Sequence, residues 1–317
     1  MTNPTNSAVH VDSALTNISV AFLQNANNFV AGRVFPNVPV SKQSDRYFVF
    51  DRGDFNRDEA EVRAPGTESA GAGYNLDNTP TYYANVWAIH HDVPDQVRAN
   101  ADAAVDPERA AAELTMHKML IRREKEFVSK FMTSGVWDTT ITGVASGPSG
   151  AQTIKWSDTT SGDPIGDIDT AKSTILESTG FMPNKLVIGH KVFDALKRHP
   201  DIIDLVKYSG GVGPNNPALV SEQALAAVFG VEEVVVARAI ENTAAEGATA
   251  AHSFIAGSKA MLVYAPAAPS LMAPSAGYQF SWTGFQGQGN AFGVATKRFY
   301  LDALESTRVE AQMAFDM

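Results

Sequence analysis

The sequence contains no cysteine in its 317 residues. That excludes a disulfide framework, thiolate zinc sites and cysteine nucleophiles, and leaves the redox compartment open. Lysine is missing from the whole stretch between Lys42 and Lys118. Positive charge is scarce overall: 25 Lys and Arg stand against 35 Asp and Glu, a formal net charge of −10. A protein that reads nucleic-acid sequence is normally basic. Here the adjacent basic pairs are Arg122-Arg123, Lys197-Arg198 and Lys297-Arg298, too scattered to form a stripe. No basic residue precedes Arg33, so the charged start of a secretory signal is missing. No apolar run reaches the length of about 18 residues that suggests a membrane span, and no membrane partner is expected. Residues 260–296 lack charge of either sign.

Catalytic motifs are also missing. There is no Gly-x-Ser-x-Gly elbow and no Gly-x-x-x-x-Gly-Lys-Ser/Thr loop. Gly287-Gln-Gly289-Asn-Ala-Phe-Gly293 misses the dinucleotide spacing and follows no clear strand–helix unit. Among the seven histidines, His90 and His91 are adjacent at the end of a predicted strand, where neighbours point to opposite faces. They cannot easily share one metal, and His90 with Asp92 supplies too few ligands. His190 and His199 bracket a predicted helix and read as cap or surface residues. Asp163, Asp167 and Asp169 lack the spaced series and closing Glu of a calcium loop, and read as helix-capping acids. The expectation is no enzyme, no cofactor and no metal.

What is present is a core. Apolar residues make up 44% of the chain and charged residues 19%, which suits a globular protein rather than a disordered one. Residues 1–45 are polar with short apolar pieces, and Pro36 and Pro39 favour extended chain, so this segment reads as an arm lying on something else. Residues 46–93 read as two strands, at Arg46–Phe50 and Thr81–Ile89, around a long charged connection. A connection that long in a compact domain is usually functional or mobile. Asp106-Pro107-Glu108 opens a helix to about Met132, roughly 38 Å long. It has one apolar row at Leu114, Ile121 and Val128 and another at Met116, Leu120, Phe127 and Phe131. Residues 133–163 read as loop or short hairpin. Beyond 163, helices and strands alternate: Asp163 to Gly180, Lys185–Ile188, Val192–Arg198, Ser221–Phe229, Glu233–Ala237 and Ala260–Tyr264. The C-terminal alternation over 297–317 suggests a closing strand pair. The class is α+β. The charge-free stretch 260–296, with Tyr278, Trp282 and Phe285, fits either a buried core or a surface covered by another subunit.

This order of parts resembles the major capsid proteins of tailed double-stranded DNA bacteriophages, the Hong Kong 97-type fold. Local stretches carry the resemblance too: Phe29-Val-Ala-Gly-Arg-Val-Phe-Pro-Asn-Val-Pro-Val40, the run from Phe50 to Ala70, and Lys185-Leu-Val-Ile-Gly-His-Lys-Val-Phe-Asp-Ala-Leu196. The resemblance implies an N-terminal arm over 1–45, an extended β-hairpin loop over 46–93 and a peripheral domain over 94–164 with its spine helix at about 106–132. It further implies an axial domain over 165–290, and C-terminal strands over 291–317 returning to the peripheral domain. It implies a structural protein of the virion, assembled in the host cytoplasm: hexamers and pentamers of an icosahedral shell around packaged double-stranded DNA, contacted without sequence reading. A portal is implied. Since the arm starts near residue 1, scaffolding would be a separate protein. The lysine-free loop lacks the side chain that the type member uses to crosslink its subunits. A cargo-holding compartment shell of the same fold is the alternative reading, and a soluble α/β enzyme a remoter one.

Charge suggests how subunits would meet. The loop has an acidic excess, with Asp54, Asp58, Glu59 and Glu61 beside Arg63; the long helix has a basic excess in Arg122, Arg123 and Lys125. The expectation is that these faces dock between chains, with Tyr278, Trp282 and Phe285 in a second contact.

Overall fold

The computed structural model describes residues 24–101, 106–209, 220–270, 274–284 and 294–317. From the N-terminal side the chain runs through α1 (Ala31–Val34), β1 (Asn37–Val40), β2 (Ser44–Arg46), β3 (Val49–Phe50), the turn α2 (Arg52–Phe55), β4 (Leu76–Asp77), β5 (Thr81–Tyr83), β6 (Asn85–Pro94) and α3 (Asp95–Asn100). Next come α4 (Pro107–Phe131), β7 (Thr142–Val144), β8 (Gln152–Ile154), α5 (Pro164–Thr179), β9 (Lys185–Gly189), α6 (His190–Lys197), α7 (Pro200–Ser209) and α8 (Glu222–Phe229). The chain continues with β10 (Glu233–Ala237), β11 (Ile240–Asn242), β12 (His252–Phe254), β13 (Ala260–Val263), β14 (Gln279–Trp282), β15 (Ala295–Leu301) and β16 (Ser306–Asp316).

Capping chemistry sets the long helices. The Asp106 carboxylate accepts from the backbone N–H groups of Glu108 and Arg109 at 3.1 and 3.2 Å, and Pro107 fills the first helical position. Asp163 caps α5 in the same way, and Gly180 ends it at φ 76°, a left-handed conformation that glycine adopts without strain.

Two sheets share the long helix α4. In the larger sheet β16 is central. It pairs antiparallel with β6 along one side, from Ser306 opposite Pro94 to Phe315 opposite Asn85. On its other side lie β15 and then β14, with β1 running parallel to β14. Val309, Ala311, Met313 and Phe315 form one face of β16 and pack with Ala111 and Met119 of α4. The smaller sheet has the order β10-β9-β13. Val187, Val235, Ala237, Met261 and Val263 form one face and meet Phe127 and Val128 of α4. Leu186, Ile188, Val234 and Val236 form the other, covered by α5 to α8 through Ile168, Phe193, Leu196, Ile202, Leu225 and Phe229. Strands buried on both faces read as continuous apolar runs, which is why they are visible in the sequence.

Four expectations change. Part of the N-terminal segment expected to lie on something else packs within the chain itself: Val30, Ala31, Val34 and Phe35 sit in the core between α4 and the smaller sheet. The strand expected over 81–89 is two strands, and β6 belongs to the larger sheet rather than to the loop. The chain leaves the smaller sheet before Gln279, because β14 pairs with β16, so the segment expected to continue to 290 ends sooner. Leu114 and Met116 are exposed on α4, whose buried stripe instead includes the polar Thr115 and Glu124.

Candidate assembly interface

The loop between β2 and β5 is a two-stranded projection. Ser44–Arg46 pairs with Tyr83–Thr81, and Val49–Phe50 pairs with Asp77–Leu76. Beyond them its tip is stabilised by local polar contacts. Asp51 accepts from Gly53 N at 2.8 Å, and Asp54 accepts from Asn75 N at 2.8 Å, tying the two sides of the loop. Arg57 lies 3.3 Å from Asp54 and 3.2 Å from Glu59, while Arg63 donates to Thr67 O at 2.5 Å. Asp58 accepts from Ala60 N at 3.4 Å, and Glu61 is exposed.

Apolar exposure is concentrated here. Phe50, Phe55 and Tyr74 form a ring cluster with centroids 5.7 to 5.9 Å apart. Phe55 and Tyr74 remain 51% and 65% exposed, and Val62 is wholly in solvent. Phe48, Val49 and Leu76 add to this surface. An apolar cluster on a projecting hairpin cannot reach its own core, and such patches mark interaction sites.

The basic residues of α4 are already engaged within the chain. The Arg122 guanidinium stacks 4.0 Å from the centroid of Trp87 and donates to Glu126 at 2.7 Å. Lys125 pairs with Glu241 at 2.6 Å. Arg123 lies against Gly32, where a Cβ would come within 3.3 Å of its guanidinium, and burial pulls its pKa down. The expected basic face is therefore spent on β6, the β11–β12 hairpin and the N-terminal segment. Tyr278 is half-buried, which pushes its phenol pKa up, and Trp282 donates to Ser41 O at 3.0 Å. Both lie beside β1, within the chain. Phe285 lies outside the described residues. Within the described part of the charge-free stretch, β13 and β14 are core strands: Met261, Val263, Gln279 and Ser281 are buried.

The acid and histidine groups also have structural partners. Asp163 caps α5, Asp167 accepts from Thr153 and Trp156 at 2.5 and 2.8 Å, and Asp169 pairs with Lys172 at 3.0 Å. His91 is half-buried, which pulls its pKa down, whereas His90 faces solvent. His199 is buried rather than at the surface, with Nε2 3.1 Å from Gly162 O. Among the described residues no group of three His, Asp or Glu converges on a metal position, and no helix is long and apolar enough to cross a membrane.

A family profile described as "Phage major capsid protein E" matches residues 149–275. The major capsid protein of Burkholderia phage BcepMu is 27% identical over 235 residues, covering 73% of this chain and 69% of its own. The chain is thus similar to phage major capsid proteins in its sequence. Solved structures share the fold. A phage-related protein from Bordetella bronchiseptica RB50 superposes with a TM-score of 0.64 at 21% identity, covering 92% of this chain and 88% of its own. The capsid of cyanophage P-SCSP1u gives 0.55 at 10% identity, with 94% and 85% coverage. The SrpI encapsulin of Synechococcus elongatus PCC 7942 gives 0.53 at 11% identity, with 97% and 90% coverage. In a capsid protein the features to explain are surfaces that meet other copies, and no catalytic constellation is required.

Two groups here escape a sequence reading. Phe50 and Phe55 are separated from Tyr74 by a long charged run, although aromatic residues in such a run are themselves a signal. Glu124, fully buried in α4, sits in the charged run Arg122-Arg123-Glu124-Lys125-Glu126 and reads as solvated.

Proposed function

We propose that copies of this chain form the hexamers and pentamers of an icosahedral shell enclosing packaged double-stranded DNA, with the hairpin loop as a principal contact between neighbours. The exposed Phe50–Phe55–Tyr74 cluster carries this reading, because it presents apolar area that the described residues of the chain leave uncovered. Its anchor is aromatic, with Asp54, Asp58, Glu59, Glu61 and Arg63 as a polar rim, as in other protein interfaces. The domain built on the smaller sheet and α5 to α8 would stand around the symmetry axes, and the larger sheet with α4 would form the periphery. A separate scaffolding protein and a portal would complete assembly. The DNA would be held by confinement, consistent with the acidic net charge of −10. The shared encapsulin fold keeps a cargo compartment as the alternative, which the phage relatives disfavour.

Electron microscopy of the purified full chain, alone and with its scaffolding partner, tests the reading. Closed shells or capsomers are expected. A monomer under both conditions would overturn it. Shells recovered from the host should contain double-stranded DNA, whereas a protein cargo would establish the compartment reading.

A further inference from the structure

Where the N-terminal segment enters the body it is held by four polar clamps. The Gln24 side-chain amide exchanges two bonds with the backbone of Ile240, at 2.6 and 2.8 Å. Lys185 donates to Arg33 O and Val34 O at 3.1 and 3.0 Å. Between them, Glu124 Oε2 accepts from Val30 N and Ala31 N, both at 2.9 Å. Gln279 donates to Ala31 O from the far side. The Glu124 side chain is fully buried, and its Oε1 has no hydrogen-bond partner among the described residues. A carboxylate is an unusual residue for this position. Ionised, it pays for burial with half of its acceptor capacity unused; protonated, it still offers one oxygen to the two N–H groups.

We propose that Glu124 is a proton-linked latch on residues 29–35: ionisation of its carboxyl loosens the seat of this segment between α4 and the smaller sheet. Burial raises its pKa to about 7, against opposing pulls from the two N–H groups and Arg123. Opening the seat would admit water and return the carboxyl to its ordinary range. The seated form therefore favours the protonated acid and the opened form the ionised one. The seat weakens as pH rises from the ordinary carboxyl range to about 7 and is constant above it.

Other charged groups near the seat are accounted for. Arg123, on the same helix, stays charged at any relevant pH. Lys185 is pulled down by burial and pushed back by Glu233 and Glu232, with Arg33 opposing them. His117 packs edge-on against Phe29, with ring centroids 5.7 Å apart, and burial pulls it down. Its linkage has the opposite sign, loosening the seat on acidification.

Hydrogen exchange of the full-length wild-type chain reads the latch directly. Opening of residues 29–35, corrected for intrinsic exchange and referred to a peptide from β9, should rise roughly tenfold between pH 5.5 and pH 8. Trypsin cleavage after Arg33, referred to an unfolded reporter peptide at each pH, should follow the same curve. In Glu124→Gln the rise should vanish, with slower opening than wild type at pH 8. A flat or falling wild-type profile overturns the latch. So does a Glu124→Gln profile as steep as wild type, because Lys185 and His117, both pulled down by burial, would make opening fall as pH rises and cannot supply that slope. If that variant does not fold, the wild-type profile alone still decides.

Discussion

Asp92 and Arg308 face each other across β6 and β16 in a two-bond fork, with Nε to Oδ1 at 2.7 Å and Nη2 to Oδ2 at 2.8 Å. The hydrogen bonds from Arg308 hold the Asp92 carboxyl below its usual range. Paired in this way, the group contributes stability above its unfolded pKa, and this contribution is lost as pH falls through the lower folded value. Asp92→Asn should cost about 1 kcal/mol near neutrality, since the pair is partly solvated, and the difference from wild type should fade toward pH 3. Urea unfolding at several pH values measures both. Glu124 has the opposite sign. With a folded pKa of about 7 against an ordinary 4.5, its ionisation above neutrality costs up to about 3 kcal/mol. Glu124→Gln should therefore be as stable as wild type at pH 5 and more stable at pH 8, as unfolding curves at the two pH values would show.

At the scale of the element, α4 determines how charge substitutions will read. Arg122 covers Trp87, and Arg123 lies against Gly32 beside the buried Glu124. Arg122→Glu with Arg123→Glu should lower the melting temperature of the unassembled chain and leave a second acid in a buried site. Reversing Glu59 and Glu61 to Lys should not restore it. A folded, stable double variant that fails only in assembly would return the helix to the interface. The loop tip behaves differently, because the rings of Phe50, Phe55 and Tyr74 pack on one another and stay largely exposed at Phe55 and Tyr74. Phe55→Ala with Tyr74→Ala should leave the circular dichroism spectrum and melting temperature of the chain unchanged and reduce shell yield at least tenfold. Normal yield would remove the aromatic cluster from the contact. The tight approach of Gly189 to Gly257 is a third element-scale constraint: a Cβ at 189 would stand 2.2 Å from the carbonyl oxygen, so Gly189→Ala should fail to accumulate as soluble protein.

The whole molecule is organised around a helix that serves two cores. The N-terminal half of α4 lies on the larger sheet through Ala111 and Met119, and its C-terminal half on the smaller sheet through Phe127 and Val128. The N-terminal segment is wedged into the second contact, so the two sheets are coupled through shared side chains. Phe127→Ala should cost roughly 3–5 kcal/mol, and exchange protection should fall in both β9 and residues 29–35. Subunits in the shell are expected to be held without covalent links, since there is no cysteine and no lysine on the loop. Denatured particles should run as one band near 33.9 kDa, and a ladder of multimers would contradict this.

Local chemistry was enough to place much of this from sequence. Asp106-Pro107 and Asp163-Pro164 start helices because cap and fixed φ act within one turn. Gly180 and Gly230 end helices because each tolerates left-handed backbone. The Lys185–Ile188 and Glu233–Ala237 runs read as buried strands because a sheet covered on both faces needs apolar side chains at every position. The long charged loop was legible because no compact core accommodates it. What the sequence left open was every choice between equivalent surfaces. Arg122, Arg123, Glu124 and Lys125 are alike as a string, yet one stacks on Trp87, one lies against Gly32, one is sealed beneath Val30 and Ala31, and one reaches Glu241. Nor did the uncharged stretch 260–296 show that Met261, Val263, Gln279 and Ser281 within it are buried in the chain's own core. Those outcomes depend on which elements pass each side chain in space, and here β14 returning to β16 and the wedged segment 29–35 made the choice.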